Sequence, residues 1–81
     1  MSDMTEWEFA GAVPDGEPFE IDGLDVWKYQ WRDTRERAQV EDPHYHQPFT
    51  FYVYELAGPD RVVRFAAGEF SNGIWGFYKN P

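Results

Sequence analysis

Apolar and polar residues alternate along most of this chain, and a period of two is the signature of β-strands. In Glu6–Val13, alternation puts Trp7, Phe9 and Val13 on one face and Glu6 and Glu8 on the other. Pro14-Asp15-Gly16 then supplies a turn, because proline fixes φ and glycine accepts a positive φ without strain. Phe19 and Ile21 flank Glu20, and Asp22-Gly23 is a two-residue hairpin signal. A loop of that length would set Glu20 opposite Asp25. Like charges facing across a strand pair are destabilising, so a wider turn is the expectation. Leu24–Trp31 reads as the next strand, with Leu24, Val26, Lys28 and Gln30 on one side and Asp25, Trp27, Tyr29 and Trp31 on the other.

Pro48–Leu56 is apolar on both faces, as a central strand or one with a covered aromatic face must be. Gly58-Pro59-Asp60 turns the chain into Arg61–Phe70, Asn72-Gly73 predicts a type I′ turn, and Ile74–Tyr78 closes the sheet. The exception is Arg32–Gln47. Asp33 with Glu36 three residues later fits a capping arrangement, which predicts one or two helical turns over Thr34–Val40. The competing pattern is a polar edge strand, since Arg35, Arg37 and Gln39 alternate with Glu36, Ala38 and Val40. Arg32, Arg35 and Arg37 are expected to pair with Asp33, Glu36 and the acidic N-terminal third. The expected fold is one small, mainly β domain: an antiparallel six-strand meander curled into a barrel or sandwich, with a short helix around 33–40 as the alternative.

Composition sharpens the core. Sixteen aromatic residues stand against only twelve Val, Ile, Leu and Met in 81 residues. A chain this short struggles to bury enough apolar area to offset conformational entropy, and each ring can bury roughly 150–250 Å². Most of the rings must therefore be core. Trp27, Tyr29 and Trp31 are read first as core packed on Trp7 and Phe9, and second as an aromatic platform for a small ligand.

Charge changes the picture of function. The net charge is −8, and residues 1–27 carry eight acids and no Lys or Arg, while the remainder is balanced at seven of each. A domain that grips nucleic acid directly needs a basic stripe, which this chain lacks. No run of eighteen apolar residues predicts a membrane helix, and the first residues lack a signal-peptide pattern, so a cytoplasmic protein is the expectation. The absence of cysteine removes disulfides, thiolate metal sites and thiol nucleophiles. His44 and His46 would point to one side of a strand and could share a metal, with Glu41 or Asp42 adding oxygen. No third ligand follows at a defined spacing, so no metal and no cofactor are expected. Serine occurs only at Ser2 and Ser71, carboxylate pairs such as Glu6/Glu8 face solvent, and no glycine cluster forms a phosphate loop. No catalytic residue is therefore expected.

Two function classes lead, and a metal-dependent enzyme using His44 and His46 ranks third behind them. The first is a small acidic, non-enzymatic binding protein that occupies a basic surface of a protein partner, for instance a nucleic-acid-binding protein. Glu6, Glu8, Glu17, Glu20, Asp22 and Asp25 would steer the encounter and Tyr45 would anchor it. The alternative is a small-ligand module lined by Trp27, Tyr29, Trp31, His44 and His46. A homodimer is compatible with either class.

Overall fold

In the computed structural model, which describes residues 7–42 and 47–80, seven strands follow one another: β1 (Glu8–Pro14), β2 (Glu20–Ile21), β3 (Leu24–Asp25), β4 (Trp31–Glu41), β5 (Pro48–Ala57), β6 (Val62–Ser71) and β7 (Ile74–Lys79). Five form one antiparallel sheet in the order β1-β7-β6-β5-β4, and β2 and β3 make a separate hairpin. The mainly β, antiparallel expectation holds, and the sheet does not close into a barrel. The meander is only partial. β4 to β7 pair in sequence order, whereas β1 crosses to the far edge and pairs with β7.

The segment expected as a helix is strand β4, paired with β5 from Trp31↔Leu56 to Glu41↔Pro48. A helix would have no apolar stripe here, whereas a strand buries Ala38 and Val40 on one face. The Asp33 and Glu36 chemistry serves a bulge instead of a helix cap. Register breaks between Asp33 and Arg37, where the Arg35 N–H donates to Asp33 Oδ1 (2.8 Å) and the Glu36 N–H to Thr34 Oγ1 (3.2 Å). The Thr34 hydroxyl in turn donates to the Val53 carbonyl at 2.8 Å, replacing a ladder donor that the bulge removes. Arg35, inside the bulge, takes φ 68.

Two turns reverse their sequence readings. Asp22 and Gly23 both have positive φ, 52 and 83, so β2–β3 is a tight two-residue hairpin of type I′ and Glu20 does face Asp25. The cost is moderated, because Asp25 Oδ1 accepts the Trp27 N–H at 2.9 Å and the Arg61 guanidinium donates to the Asp22 carbonyl. At Asn72-Gly73 only the glycine has positive φ, so that turn is not type I′; a register shift between Glu69 and Ser71 accompanies it. The strand expected over Leu24–Trp31 stops at Asp25. Its carboxylate and carbonyl take the N–H groups of Trp27 and Lys28 and fold the chain into a turn.

The sheet is apolar on both faces. Ile21, Leu24 and Val26 cover one face and pack on Leu56, Val63, Phe65, Ala67 and Phe77. The other face gathers Ala38, Val40, Phe51, Val53, Ala66 and Tyr78, flanked by Trp7, Phe49 and Phe70. β5, apolar on both sides, contributes to both clusters as its sequence requires. The sheet bends round the second cluster. The Tyr78 hydroxyl on β7 donates to the Glu41 carbonyl at the end of β4, 2.6 Å away across the sheet. Close packing sets the glycines: a Cβ on Gly68 would stand 2.5 Å from the Phe51 ring, and one on Gly76 would stand 2.4 Å from the Phe70 ring. A bulge between Phe9 and Gly11 corrects the first strand. Phe9 turns to Tyr78 and Phe70 on the second face, while Val13 joins the first. Trp7, Phe9 and Val13 therefore do not share a face.

Candidate binding surface

The hairpin that covers the first face also carries most of the acids singled out in the sequence. Glu17 is exposed in the connection that follows β1, where its N–H donates to the Pro14 carbonyl at 3.0 Å. Glu20 is exposed on β2, Asp22 is exposed at the turn, and Asp25 is half-buried on β3 opposite Glu20. The hairpin is fastened at both ends of its charged stretch. The Val26 N–H donates to the Phe19 carbonyl (2.9 Å), and Arg61, from the turn between β5 and β6, reaches the Asp22 carbonyl. Three carboxylates are thereby held on the hairpin, with Glu17 in the connection that leads into it.

Glu8 does not join them. It lies at the start of β1, in register with Lys79, at the opposite end of that strand from the turn that leads to Glu17. Glu6, His44, Tyr45 and His46 lie outside the described residues, so the His pair and the Tyr45 anchor have no structural reading here. Among the described residues no three His, Cys, Asp or Glu side chains converge on a point that could hold a metal. There is also no helix among them long and apolar enough to cross a membrane.

Among the described residues, Arg32 and Arg37 of β4 find their partners on β5 and not in the acidic third. Arg32 pairs with Glu55, and Glu36 pairs with Arg64. The Arg64 guanidinium lies over the Trp7 ring (5.6 Å), and Arg37 lies over the Tyr52 ring (5.1 Å). Arg32, Arg37 and Arg64 are thus each engaged by an acid or a ring within the described residues.

The aromatic stripe is core, with different partners from those expected. Trp27 and Trp31 stack on each other (centroids 5.5 Å apart, 28° between planes) and meet Trp75 and Phe77 edge to face. Trp31 also abuts Phe65 at 5.1 Å, and its Nε1 donates to the Val26 carbonyl at 2.6 Å. Trp7 and Phe9 are on the other side of the sheet. Tyr29 is half-buried against the same cluster. The rings proposed as a ligand platform are therefore occupied with one another. One polar atom is left over: Trp27 Nε1 is buried with no acceptor among the described residues.

Sequence reasoning passed over three residues. Arg61 secures the hairpin turn from 39 residues away, a pairing with no local signal. Trp75 completes the tryptophan cluster. Tyr78, fully buried, ties β7 to β4, and burial together with nearby Asp42 and Glu41 pushes its hydroxyl pKa up to about 12. Burial first, and then the charge of Asp33, likewise raises Tyr54. Comparison with family models, with curated proteins and with solved structures finds no match to this chain.

Proposed function

We propose that this protein is a small, non-enzymatic binding protein whose acidic β2–β3 hairpin docks on a basic surface of a protein partner. The observation that carries this reading is the Glu20–Asp25 pair. Two carboxylates face each other across a tight hairpin, with Asp22 at its tip and Glu17 just before it. Facing carboxylates cost folding stability, and the Asp25 hydrogen bond to the Trp27 N–H offsets only part of that cost. A local rule broken at Glu20, where the exposed carboxylate makes no described contact that favours folding, is expected where the surface serves another purpose. A concentrated negative field on a rigid element steers a cationic partner and accelerates encounter. A nucleic-acid-binding protein presents a surface of that kind. The reading needs no cofactor, no direct contact with nucleic acid and no membrane, and it places the protein in the cytoplasm.

The test compares the native chain with the triple variant Glu17→Lys, Glu20→Lys, Asp22→Lys. A partner is captured on the immobilised native chain at low ionic strength, eluted by salt, identified, and its association rate measured against both proteins. The variant should associate about tenfold more slowly or worse at low salt, and the two rates should converge as salt screens the field. A variant that stays folded and binds at the native rate in low salt would reduce the acidic hairpin to solvated surface.

A further inference from the structure

We infer that Asn72 is a site of spontaneous deamidation, at which the Gly73 nitrogen converts the side-chain amide to a carboxylate, and that the Glu69 carboxylate holds this reaction back in the folded chain. The chain has two asparagines, and they differ in the residue that follows. Asn80 precedes a proline, whose nitrogen has no proton to lose and cannot close a ring on the side chain. Asn72 precedes Gly73, which offers a nitrogen with no Cβ beside it. Asn72 and Gly73 form the turn between β6 and β7, with Asn72 exposed and Gly73 at φ 78. A Cβ on Gly73 would meet nothing within 4 Å, so no neighbouring group shields the turn from that side. Asp15 and Asp22 also precede glycines, but a carboxylate at neutral pH resists a nitrogen nucleophile that an amide accepts.

The reaction needs only water. The Gly73 N–H gives up its proton, the nitrogen bonds to Asn72 Cγ, and the side-chain nitrogen leaves as ammonia, closing a cyclic imide. Water then adds to either imide carbonyl and breaks that carbon's bond to nitrogen. Cleavage at Cγ leaves aspartate; cleavage at the main-chain carbonyl leaves isoaspartate, whose backbone runs through Cβ and Cγ. Nothing is oxidised or reduced. Either product makes the net charge one unit more negative than −8. The fold acts on the first step. The Gly73 N–H donates to Glu69 Oε2 at 2.8 Å, so the proton that must leave is held, and the nitrogen anion would form against a carboxylate. The Gly73 carbonyl accepts the Asp15 N–H, also at 2.8 Å, so the residue is fixed through both of its backbone polar groups. Attack on Cγ requires the Asn72–Gly73 peptide to turn away from Glu69. The Asp15 bond also carries the consequence outward. Isoaspartate adds one carbon to the backbone of the turn and disturbs the bond that anchors the chain as it leaves β1.

Incubation of the full chain at mildly alkaline pH, followed over time by peptide mapping with mass spectrometry, tests this without any partner. Asn72 should convert to a mixture of aspartate and isoaspartate while Asn80 in the same chain stays intact. Glu69→Ala should convert about three- to tenfold faster than the native chain, as expected when an exposed hydrogen bond to a charged group is lost. Glu69→Gln can still accept the N–H but carries no charge, so its rate should fall between the two. Urea titration should show all three folded to a similar midpoint, since an exposed substitution of this kind costs little stability. In a denaturing concentration of urea the three chains should convert at one rate, because Glu69 then no longer reaches Gly73. An Asn72 that stays intact in both the native and the Glu69→Ala chains, an Asn80 that converts as fast as Asn72, or a folded Glu69→Ala chain that converts at the native rate would overturn the inference.

Discussion

Asp25 faces Glu20 across a two-residue turn, yet its carboxylate is turned aside to accept the Trp27 N–H. One residue thereby does two jobs: it ends β3 and relieves part of a like-charge pair. The remaining repulsion is a cost that a single substitution can remove. Glu20→Lys places a cation opposite Asp25 on an exposed strand pair, where such pairs contribute about 0.2–1 kcal/mol. The variant should be more stable than the native chain by about that amount in urea titration, with an unchanged slope, and it should also bind the proposed partner more slowly. An unchanged or lowered midpoint would mean that Glu20 is already compensated. Gain of stability with loss of binding is the expected trade where charge is kept for recognition.

At the scale of elements, β4 is the informative strand because its sequence supported two structures. A charged run with a capping pair is a fair helix start, but a helix would leave one edge of β5 unpaired, with β6 as its only neighbour in the sheet. Strand pairing buries Ala38 and Val40 and satisfies the β5 backbone, and the bulge absorbs the residues that disagree. Amide hydrogen exchange at micromolar concentration should therefore alternate along β4. The Asp42 N–H donates to the Gln47 carbonyl, and bonded pairs alternate along an antiparallel ladder, so the N–H groups of Ala38 and Val40 bond to β5. They should exchange slowly, and those of Arg37 and Gln39 quickly. Contiguous protection from Thr34 to Gln39 would signal a helix or a second neighbouring strand and would contradict the edge. The central strand β6, bonded on both sides, should be the slowest to exchange.

For the molecule as a whole, curvature is held by side chains that join distant strands, and Tyr78 is the clearest of them. Its hydroxyl is neutral in the folded state up to about pH 12, first because it is buried and then because Asp42 and Glu41 lie near it. In the unfolded chain it ionises near the ordinary value of 10.0. Below that pH both states hold the proton, and stability does not depend on this group. As pH rises from about 10 towards 12 the unfolded state alone loses its proton, so stability falls with pH. Tyr78→Phe should cost about 0.5–1.5 kcal/mol at neutral pH through the lost hydrogen bond. It should also show a shallower decline above pH 10, with Tyr54 supplying part of what remains. Urea titrations of both proteins from pH 7 to about 11.5 check this, and parallel curves would remove Tyr78 from the alkaline transition.

Period-two alternation is a local property, and it was enough to place the strands β5, β6 and β7, while turn residues placed the reversal at Pro14-Asp15-Gly16; at Asp22-Gly23 they placed a turn but not its width. The two-sided apolar character of β5 left a central strand or a covered aromatic face as alternatives, and the structure has both: β5 lies between β4 and β6 and contributes to both clusters. Only the tertiary structure decided which strands met. β1 pairs with β7, sixty residues and more away, and no local pattern encodes that choice. A bulge of one residue turns a strand over, so Phe9 and Val13 part company although their spacing puts them together. For the same reason Trp27 and Trp31 pack on Trp75 and Phe77 while Trp7 stays on the other face. The acidic third shows the limit most plainly. Its charge is legible in composition, but the chain path sends Glu8 to Lys79 and gathers Glu20, Asp22 and Asp25 on one hairpin with Glu17 just before it, because strand pairing, not sequence distance, sets which carboxylates share a surface.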